Sequence, residues 1–318
     1  MDKVKLYFDE KLHKYTDDKK RPYTSMTTVI GKYEVKFDSK KMAAIVSRKQ
    51  SSMYYGMSVT AILKLWDEMN KESLAKGNKK HNFLEMAVKK ASGYKIVEDI
   101  YINGLIYTVD DIIENPDIGL ISLEEFNKIL DNKYPKIYNL VTQLVSNGYR
   151  IYSEVGVYSP ELLISGLIDI LLYNPANGTF IILDWKTNKH DMIPYDDERY
   201  KWLSGYFKKD KFGNITNKYV LTNTYFKPPL NKLQQSTYVE YALQLSGYTY
   251  LCEGRGLKCE DIILCHIRDF TYSENEREEL VGKEVTQFHR MPYLKEYVER
   301  MFYDHYNKYG IKQTQMLI

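Results

Sequence analysis

The chain has 318 residues and carries 45 Lys and Arg against 42 Asp and Glu, a formal net charge of +3. This balance excludes a protein that attracts nucleic acid over its whole surface, so any polyanion site must be local. The 3 cysteines match neither a zinc pair nor a four-thiolate cluster, and their odd number argues against a disulfide framework. The charged N-terminus and the lack of a long apolar run predict a soluble, cytoplasmic protein that is neither secreted nor in a membrane.

Residues 1–94 predict a short hairpin followed by helices. Lys5 to Phe8 and Lys14 to Tyr15 have the pattern of two strands, and the Ser and Thr residues at 24–28 can cap a helix. Between 39 and 90, apolar residues recur three and four positions apart, which predicts two or three helices. We expect this part to lead into the core without forming it.

Residues 95–125 fit no single pattern, and we interpret them as an insertion. YINGLIYTV is compatible with a strand pair interrupted by glycine, and a turn follows it. Ser122, with Glu125 three residues later, has the spacing of a capping box and predicts that a helix begins there.

The core is predicted over 126–270. An amphipathic helix, KIYNLVTQLVSNG, precedes three strands over 149–159, 162–174 and 178–187. Asn177-Gly178 is a strong signal for a hairpin between the last two strands. The polar segment 188–230 predicts a loop or a small hairpin, and a helix over 231–254 and a strand over 261–270 follow it.

In 271–318 we predict a C-terminal helix that begins at Glu284. Together these elements predict a single α/β domain with a helical N-terminal part.

Two strands of the core carry charged residues among apolar ones. Asp184 and Lys186 project from the same face of one strand, about 7 Å apart, and Asp169 on the neighbouring strand can reach that face. Buried charges are costly unless they pair or bind an ion, and hard oxygen ligands suit Mg²⁺ or Mn²⁺. The pattern therefore indicates metal-assisted phosphodiester hydrolysis. A buried Asp-Lys ion pair beside an unrelated aspartate is the structural alternative.

The order of three motifs carries a family resemblance. Gly166 and Asp169 form G-x-x-D, Asp184 and Lys186 form D-x-K on the next strand, and Gln244 with Tyr248 forms Q-x-x-x-Y in the following helix. The chain resembles the RecB-like exonuclease branch of the PD-(D/E)xK nuclease superfamily, which includes stand-alone exonucleases of phages and mitochondria. Ile168 stands where the superfamily motif has proline. The resemblance implies a restriction-endonuclease-like central mixed β-sheet flanked by helices.

The resemblance also implies a metal site. Asp169, Asp184 and the backbone carbonyl of Trp185 become metal ligands, Lys186 becomes the catalytic lysine, and Gly166 supports the site. Gly77, His81 and Glu85 match the upstream motif G-x-x-x-H-x-x-x-E, which makes His81 a metal ligand and Glu85 its support. A histidine on a helix is otherwise more often structural.

Further residues are predicted around this site. Glu154 can occupy an additional acidic position that is counted with the catalytic residues, although a glutamate on an edge strand is also ordinary. Gln244 and Tyr248 share a helix face and are predicted to bind substrate. Trp202 and Lys208, in a stretch where basic and aromatic residues alternate, are predicted to do the same, although a solvated loop explains the lysines equally well.

The sequence thus predicts a Mg²⁺- or Mn²⁺-dependent deoxyribonuclease, an exonuclease that acts on single-stranded or end-bearing DNA in replication, recombination or repair. The cysteine positions predict no iron-sulfur cluster. The lack of a P-loop indicates that any unwinding comes from a helicase or a single-strand-binding protein partner. Two alternatives stay open: an endonuclease of the same fold, and a DNA-binding subunit with a vestigial site.

Overall fold

The computed structural model describes residues 3–9, 12, 14–71, 104–130, 134–187, 192–209, 215–269 and 284–310. Within these ranges the chain is α/β, with a mixed sheet of nine strands flanked by helices, which confirms the predicted α/β class and the central mixed sheet. None of the helices in these ranges is long and apolar enough to cross a membrane.

The strands belong to one large sheet and one separate ribbon. The large sheet has the order β11-β10-β7-β6-β3-β2-β1-β4, with β5 also paired to β6, and the ribbon consists of β8 and β9. The strands are β1 (Leu6–Asp9), β2 (Lys14–Asp17), β3 (Pro22–Ser25), β4 (Leu105–Ile106), β5 (Arg150–Ser159), β6 (Ile164–Asn174), β7 (Thr179–Lys186), β8 (Gly205–Lys209), β9 (Ile215–Leu221), β10 (Lys258–Asp269) and β11 (Glu284–Arg290).

Helices cover both faces of the large sheet. They are α1 (Met26–Gly31), α2 (Ser39–Arg48), α3 (59–71), α4 (Val109–Glu114), α5 (Leu123–Leu130), α6 (Pro135–Ser146), α7 (Thr237–Glu253) and α8 (Lys295–His305). Short 3₁₀ turns at Pro194–Asp196 and Tyr200–Trp202 lead into the ribbon.

The centre of the sheet is the antiparallel unit β5-β6-β7, and β10 pairs with β7 in parallel. The turn between β6 and β7 is the predicted one. Gly178 has a φ of 72°, which glycine adopts without a steric cost, and the Asn177 side chain accepts a hydrogen bond from the Thr179 backbone N–H. The local turn signal therefore sets the pairing of the two strands that carry the predicted site.

The apolar runs of β6 and β7 are explained by burial on both faces. Ile170 and Leu172 belong to a core that includes residues of α5 and α6, whereas Leu171 and Tyr173 belong to a core that includes residues of α1, α7 and α8. A strand that is covered on both faces needs apolar side chains at nearly every position, so a charged residue within it requires a specific reason.

The N-terminal strands were predicted as a lead-in outside the core, and that prediction is wrong. Leu6, Tyr15 and Tyr23 are buried in a third apolar cluster, and β3 pairs in parallel with the beginning of β6. The hairpin itself is confirmed, and Ser25 caps α1 as the Ser and Thr stretch suggested. Sequence patterns missed the burial because each strand has only four residues, and β3 joins the hairpin to β6, which lies far along the chain.

The segment 95–125, interpreted as an insertion, is described from residue 104 onward. There β4 pairs with β1, and α4 begins at a capping box formed by Thr108 and Asp111. Val109 and Ile112 of α4 are buried in the core that includes α7. This part of the chain thus packs against the rest of the molecule.

The C-terminal helix was predicted to begin at Glu284, and this is wrong for 284–290. Those residues form β11, which pairs antiparallel with β10 from Ile263 opposite Arg290 onward. The helix α8 begins only at Lys295. Without β11, the edge of β10 would leave its backbone N–H and C=O groups unpaired. The seven residues of β11 are too few for their hydrophobic periodicity to distinguish a strand from a helix.

Helix α7 crosses the sheet face from which Asp184 and Lys186 project, and Ser236 fixes where it begins. The Ser236 hydroxyl accepts a hydrogen bond from the Val239 N–H at 3.2 Å and donates one to the carbonyl of Lys201 at 2.7 Å. One side chain therefore caps the helix and ties it to the chain that leads into the ribbon.

We expect Ser236→Ala to lower the free energy of unfolding by about 1–2 kcal/mol, because it removes both the cap and the bond to Lys201. Urea unfolding followed by circular dichroism measures this. Thr237→Ala, at the next and exposed position, is the matched control and should stay within about 0.5 kcal/mol of the parent. Equal stabilities of the two variants would contradict the role given to Ser236.

Candidate functional site

Asp184 and Lys186 form a buried ion pair on β7. The Lys186 Nζ lies 2.5 Å from the Asp184 Oδ2, and the exposed fractions of the two side chains are 15% and 2%. They project from the same face because they are two residues apart on a strand, as the sequence predicted. The two charges compensate each other in a place where either alone would be costly.

The surroundings of Lys186 keep it charged. Its Nζ lies 4.8 Å from the centre of the Tyr241 ring on α7. Burial lowers the pKa of Lys186, but the carboxylates of Asp184 and Asp169 outweigh that effect and raise the pKa to about 12. Lys186 is therefore an ammonium at neutral pH.

Asp169 lies where the pairing of β6 with β7 ends. The last paired residues are Ile170 and Leu183. One position further, the Asp169 Oδ2 accepts a hydrogen bond from the Trp185 N–H at 3.0 Å. The Asp169 carboxylate thus bonds to Trp185 where the β6-β7 pairing has ended, and this bond holds Asp169 beside the strand that carries Asp184 and Lys186.

Glu154 is opposite Asp169 on the neighbouring strand. The register pairs Ser153 with Ile170 and Val155 with Ile168, which leaves Glu154 facing Asp169 at the position between. Glu154 is buried, and its φ of 52° lies in the left-handed region that residues other than glycine rarely adopt. A strained backbone at a buried acidic residue is typical of functional sites.

The alternation of side chains is interrupted at Glu154 and Asp169. Tyr152 and Val155 on β5 belong to the same core, although they are three positions apart, and so do Ile168 and Leu171 on β6. In regular strands residues three apart face opposite sides. Both strands therefore change face at this rung, where the two carboxylates lie.

Gln244 and Tyr248 lie on α7 and contact each other. The Gln244 Nε2 donates a hydrogen bond to the Tyr248 hydroxyl at 3.0 Å. Burial raises the pKa of Tyr248, and Tyr15, Asp184 and Asp169 raise it further. The phenol is thus neutral and close enough to both aspartates to respond to their charge.

Gly166 faces the ring of Tyr248. A Cβ at this position would lie 2.3 Å from Cε1 of that ring, far inside van der Waals contact. Glycine is therefore required so that α7 can approach β6. Gly166 thus makes room for Tyr248, and its predicted support of a metal site stays a prediction.

Three residues near this cluster were missed by the sequence. Tyr15 on β2 is buried, and burial together with Glu154 and Asp169 raises the pKa of its hydroxyl. Tyr241 covers Lys186, and the buried His266 on β10 is in register with Lys186. Tyr241 could have been found, because it precedes Gln244 by three and Tyr248 by seven and so shares their helix face. Nothing local marked Tyr15 or His266.

The other predicted residues lie elsewhere or outside the described residues. Trp202 is half-buried and packs edge-on against Tyr238, with ring centres 5.5 Å apart. Lys208 is exposed on β8, which belongs to the separate ribbon and not to the large sheet. His81 and Glu85 lie outside the described residues, so their predicted roles stay predictions.

The donor chemistry of the cluster suits a hard divalent cation. Glu154, Asp169 and Asp184 provide carboxylate oxygens, whereas Lys186 provides one compensating charge. Within the described ranges, no three Asp, Glu, His or Cys side chains are already grouped as a metal site. The carboxylate oxygens of Asp169 and Asp184 are thus donors of the type that such an ion prefers. They are not part of a preformed site with three ligands in the described ranges.

We expect Gly166→Ala to lower the free energy of unfolding by about 1–3 kcal/mol, because the new methyl group collides with the Tyr248 ring. In the double variant with Tyr248→Ala the collision is absent. The two costs should then be less than additive by about 1 kcal/mol or more in chemical denaturation. Gly31→Ala, where a Cβ meets nothing within 4 Å, is the matched control and should be nearly neutral. Strictly additive costs would contradict the contact.

Comparison of the chain with models of known protein families finds no match, and comparison with curated proteins finds none either.

Proposed function

We propose that the protein is a Mg²⁺- or Mn²⁺-dependent DNA exonuclease with a restriction-endonuclease-like fold of the RecB-like type. The observation that carries the proposal is the buried pair of Asp184 and Lys186 with Asp169 hydrogen-bonded beside it. Gln244 and Tyr248 lie on the helix that covers the same sheet face. The motifs of the sequence and the contacts of the folded chain thus involve the same residues.

In this proposal, Asp169, Asp184, the carbonyl of Trp185 and His81 hold the metal ion. A bound Mg²⁺ or Mn²⁺ supplies an activated water and stabilises negative charge on the phosphate under attack. Asp169 already has one carboxylate oxygen fixed by the Trp185 N–H, which limits how that side chain turns. The protein thus orients one donor before any ion binds, which reduces the ordering that binding requires.

Lys186 acts through its charge. Its ammonium faces the phosphate, orients the attacking water and screens the developing negative charge. Tyr241 covers its outer side with an aromatic face, which limits the positions that the ammonium samples. Glu154 adds a carboxylate opposite Asp169 and is the fourth charged group of the proposed catalytic set.

Gln244 and Tyr248 position the nucleotide. The amide of Gln244 donates to the Tyr248 hydroxyl, so each of the two polar groups orients the other at the wall of the site. Substrate with a free or single-stranded end fits an exonuclease, and a helicase or single-strand-binding protein in the cytoplasm would unwind such an end or hold it unpaired.

We expect Lys186→Ala and Asp184→Ala to reduce metal-dependent nuclease activity at least about 100-fold, because each removes a charge from the reacting centre. The measurement is the release of soluble nucleotides from labelled single-stranded DNA with Mg²⁺ or Mn²⁺. Lys295→Ala removes a lysine on α8 that pairs with Glu253 and is the matched control.

Circular dichroism and the unfolding midpoint of each variant show whether it is folded. If both folded variants cleave as fast as the parent, the assignment is wrong. A parent that binds DNA but cleaves nothing with either metal would instead indicate the binding subunit with a vestigial site.

The mode of cleavage is decided by a substrate without ends. We expect the protein to degrade linear single-stranded DNA with Mg²⁺ and to leave a circular single strand of the same sequence intact. Gel electrophoresis of samples taken over time shows whether the linear and the circular strands are degraded. Linearisation of the circle would identify an endonuclease with the same site.

A further inference from the structure

The ribbon β8-β9 is a separate two-stranded sheet that begins beside the start of α7. The Ser204 N–H donates a hydrogen bond to the Gln234 Oε1 at 2.9 Å, and Ser236 bonds to the carbonyl of Lys201 at 2.7 Å. These bonds attach the base of the ribbon to the segment that caps α7. The ribbon thus starts from a fixed point of the molecule.

That fixed point is connected to the candidate site by aromatic contacts. Trp202, just before the ribbon, packs on Tyr238 of α7. Tyr241 lies one turn further along α7 and contacts Lys186. Helix α7 thus contacts both the residues that lead into the ribbon, through Tyr238, and the candidate site, through Tyr241.

One set of aromatic residues in this region is used in packing. Tyr219 contacts Tyr200 and Phe207 edge-on, with ring centres 6.2 Å and 5.1 Å apart, and its hydroxyl donates to the Leu203 carbonyl. Arg199 and Lys201 are likewise engaged, in ion pairs with Asp197 and Glu198. These side chains stabilise the ribbon and its base.

A second set is exposed. Tyr206 has 56% of its surface exposed and is paired across the ribbon with Val220, not with the packed Tyr219. Lys208 and Lys218 are exposed, and in the part of the chain that the structure describes neither is in an ion pair with a carboxylate. Lys208 lies two positions after Tyr206, and Lys218 lies two positions before Val220, so strand alternation directs these side chains to the same side of the ribbon, next to the register shift that follows Phe207. An exposed aromatic ring and two lysines on one side are the combination that stacks bases and contacts phosphates in single strands.

We propose that the exposed side of the β8-β9 ribbon binds single-stranded polynucleotide, with Tyr206 stacked on a base and Lys208 and Lys218 against phosphates. This inference rests on the proposed nuclease function and narrows its substrate class from single-stranded or end-bearing DNA: the segment bound at the ribbon is unpaired. In a duplex both faces of each base are already stacked, so the ring of Tyr206 has no free base to contact.

Binding of a fluorescent oligothymidylate in EDTA, followed by anisotropy, tests the ribbon without cleavage. We expect Tyr206→Ala to weaken binding about tenfold and Tyr206→Phe to retain it, because stacking requires the ring and not the hydroxyl. Tyr303→Ala on α8, where the tyrosine is 73% exposed, is the matched control. A blunt duplex of the same length should bind the parent and the Tyr206→Ala variant equally.

The lysines are tested by salt dependence. Removing two phosphate contacts should lower the slope of log affinity against log salt by about 1.4 for a single strand. Lys208→Ala/Lys218→Ala should show this change, whereas Lys64→Ala/Lys71→Ala, which removes two exposed lysines from α3, should not.

Unchanged affinity in Tyr206→Ala together with an unchanged slope in Lys208→Ala/Lys218→Ala would overturn the inference. Equal losses on single strand and duplex would overturn its substrate class. Hydrolysis of bis(p-nitrophenyl) phosphate by the parent with Mn²⁺ separates the two proposals, because this small ester cannot reach from the site to the ribbon. If the parent hydrolyses the ester but fails the binding test, the proposed nuclease function stands and only the proposed role of the ribbon is overturned.

Discussion

The architecture around β7 depends on placing a carboxylate and an ammonium inside a sheet whose two faces are covered. Asp184 and Lys186 compensate each other, but a buried pair is tolerated only when its surroundings are also favourable to charge. Tyr241 offers the face of its ring to the ammonium, and Asp169 adds a second carboxylate nearby. The position of α7 over the sheet and the end of the β6-β7 ladder are thus both tied to this pair.

Phenol groups make this arrangement electrostatically tolerable. Tyr15, Tyr241 and Tyr248 come from the N-terminal hairpin and from two turns of α7 and lie near carboxylates or Lys186. A neutral phenol can donate a hydrogen bond without adding charge, so it can line an acidic site at less cost than another ionised group. Burial and the nearby carboxylates raise the pKa values of Tyr15 and Tyr248, so both hydroxyls stay neutral well above neutral pH.

The sequence predicted those features whose causes are local. The Asn177-Gly178 turn sets the register of β6 and β7, and strand periodicity placed Asp184 and Lys186 on one face. The α/β class followed from the order of the elements.

Features that depend on distant partners could not be predicted in this way. The strand β11 exists because β10 has an edge to pair with, and Tyr15 reaches the site because β3 lies beside β6. Trp202 was predicted to bind substrate because basic and aromatic residues surround it in the sequence. In the structure its ring packs against Tyr238 of α7, a contact that the local sequence does not indicate.

The simultaneous change of face at Glu154 and Asp169 affects how such a site could be transplanted. A designer who copied the charged side chains onto a regular sheet would obtain the same list of residues with two of them misdirected. The unit that would have to be transferred is the irregular position itself. There Glu154 of β5 has a left-handed backbone conformation, and the pairing of β6 with β7 ends before Asp169. Grafting this chemistry onto another scaffold therefore means grafting a backbone defect together with the residues that tolerate it.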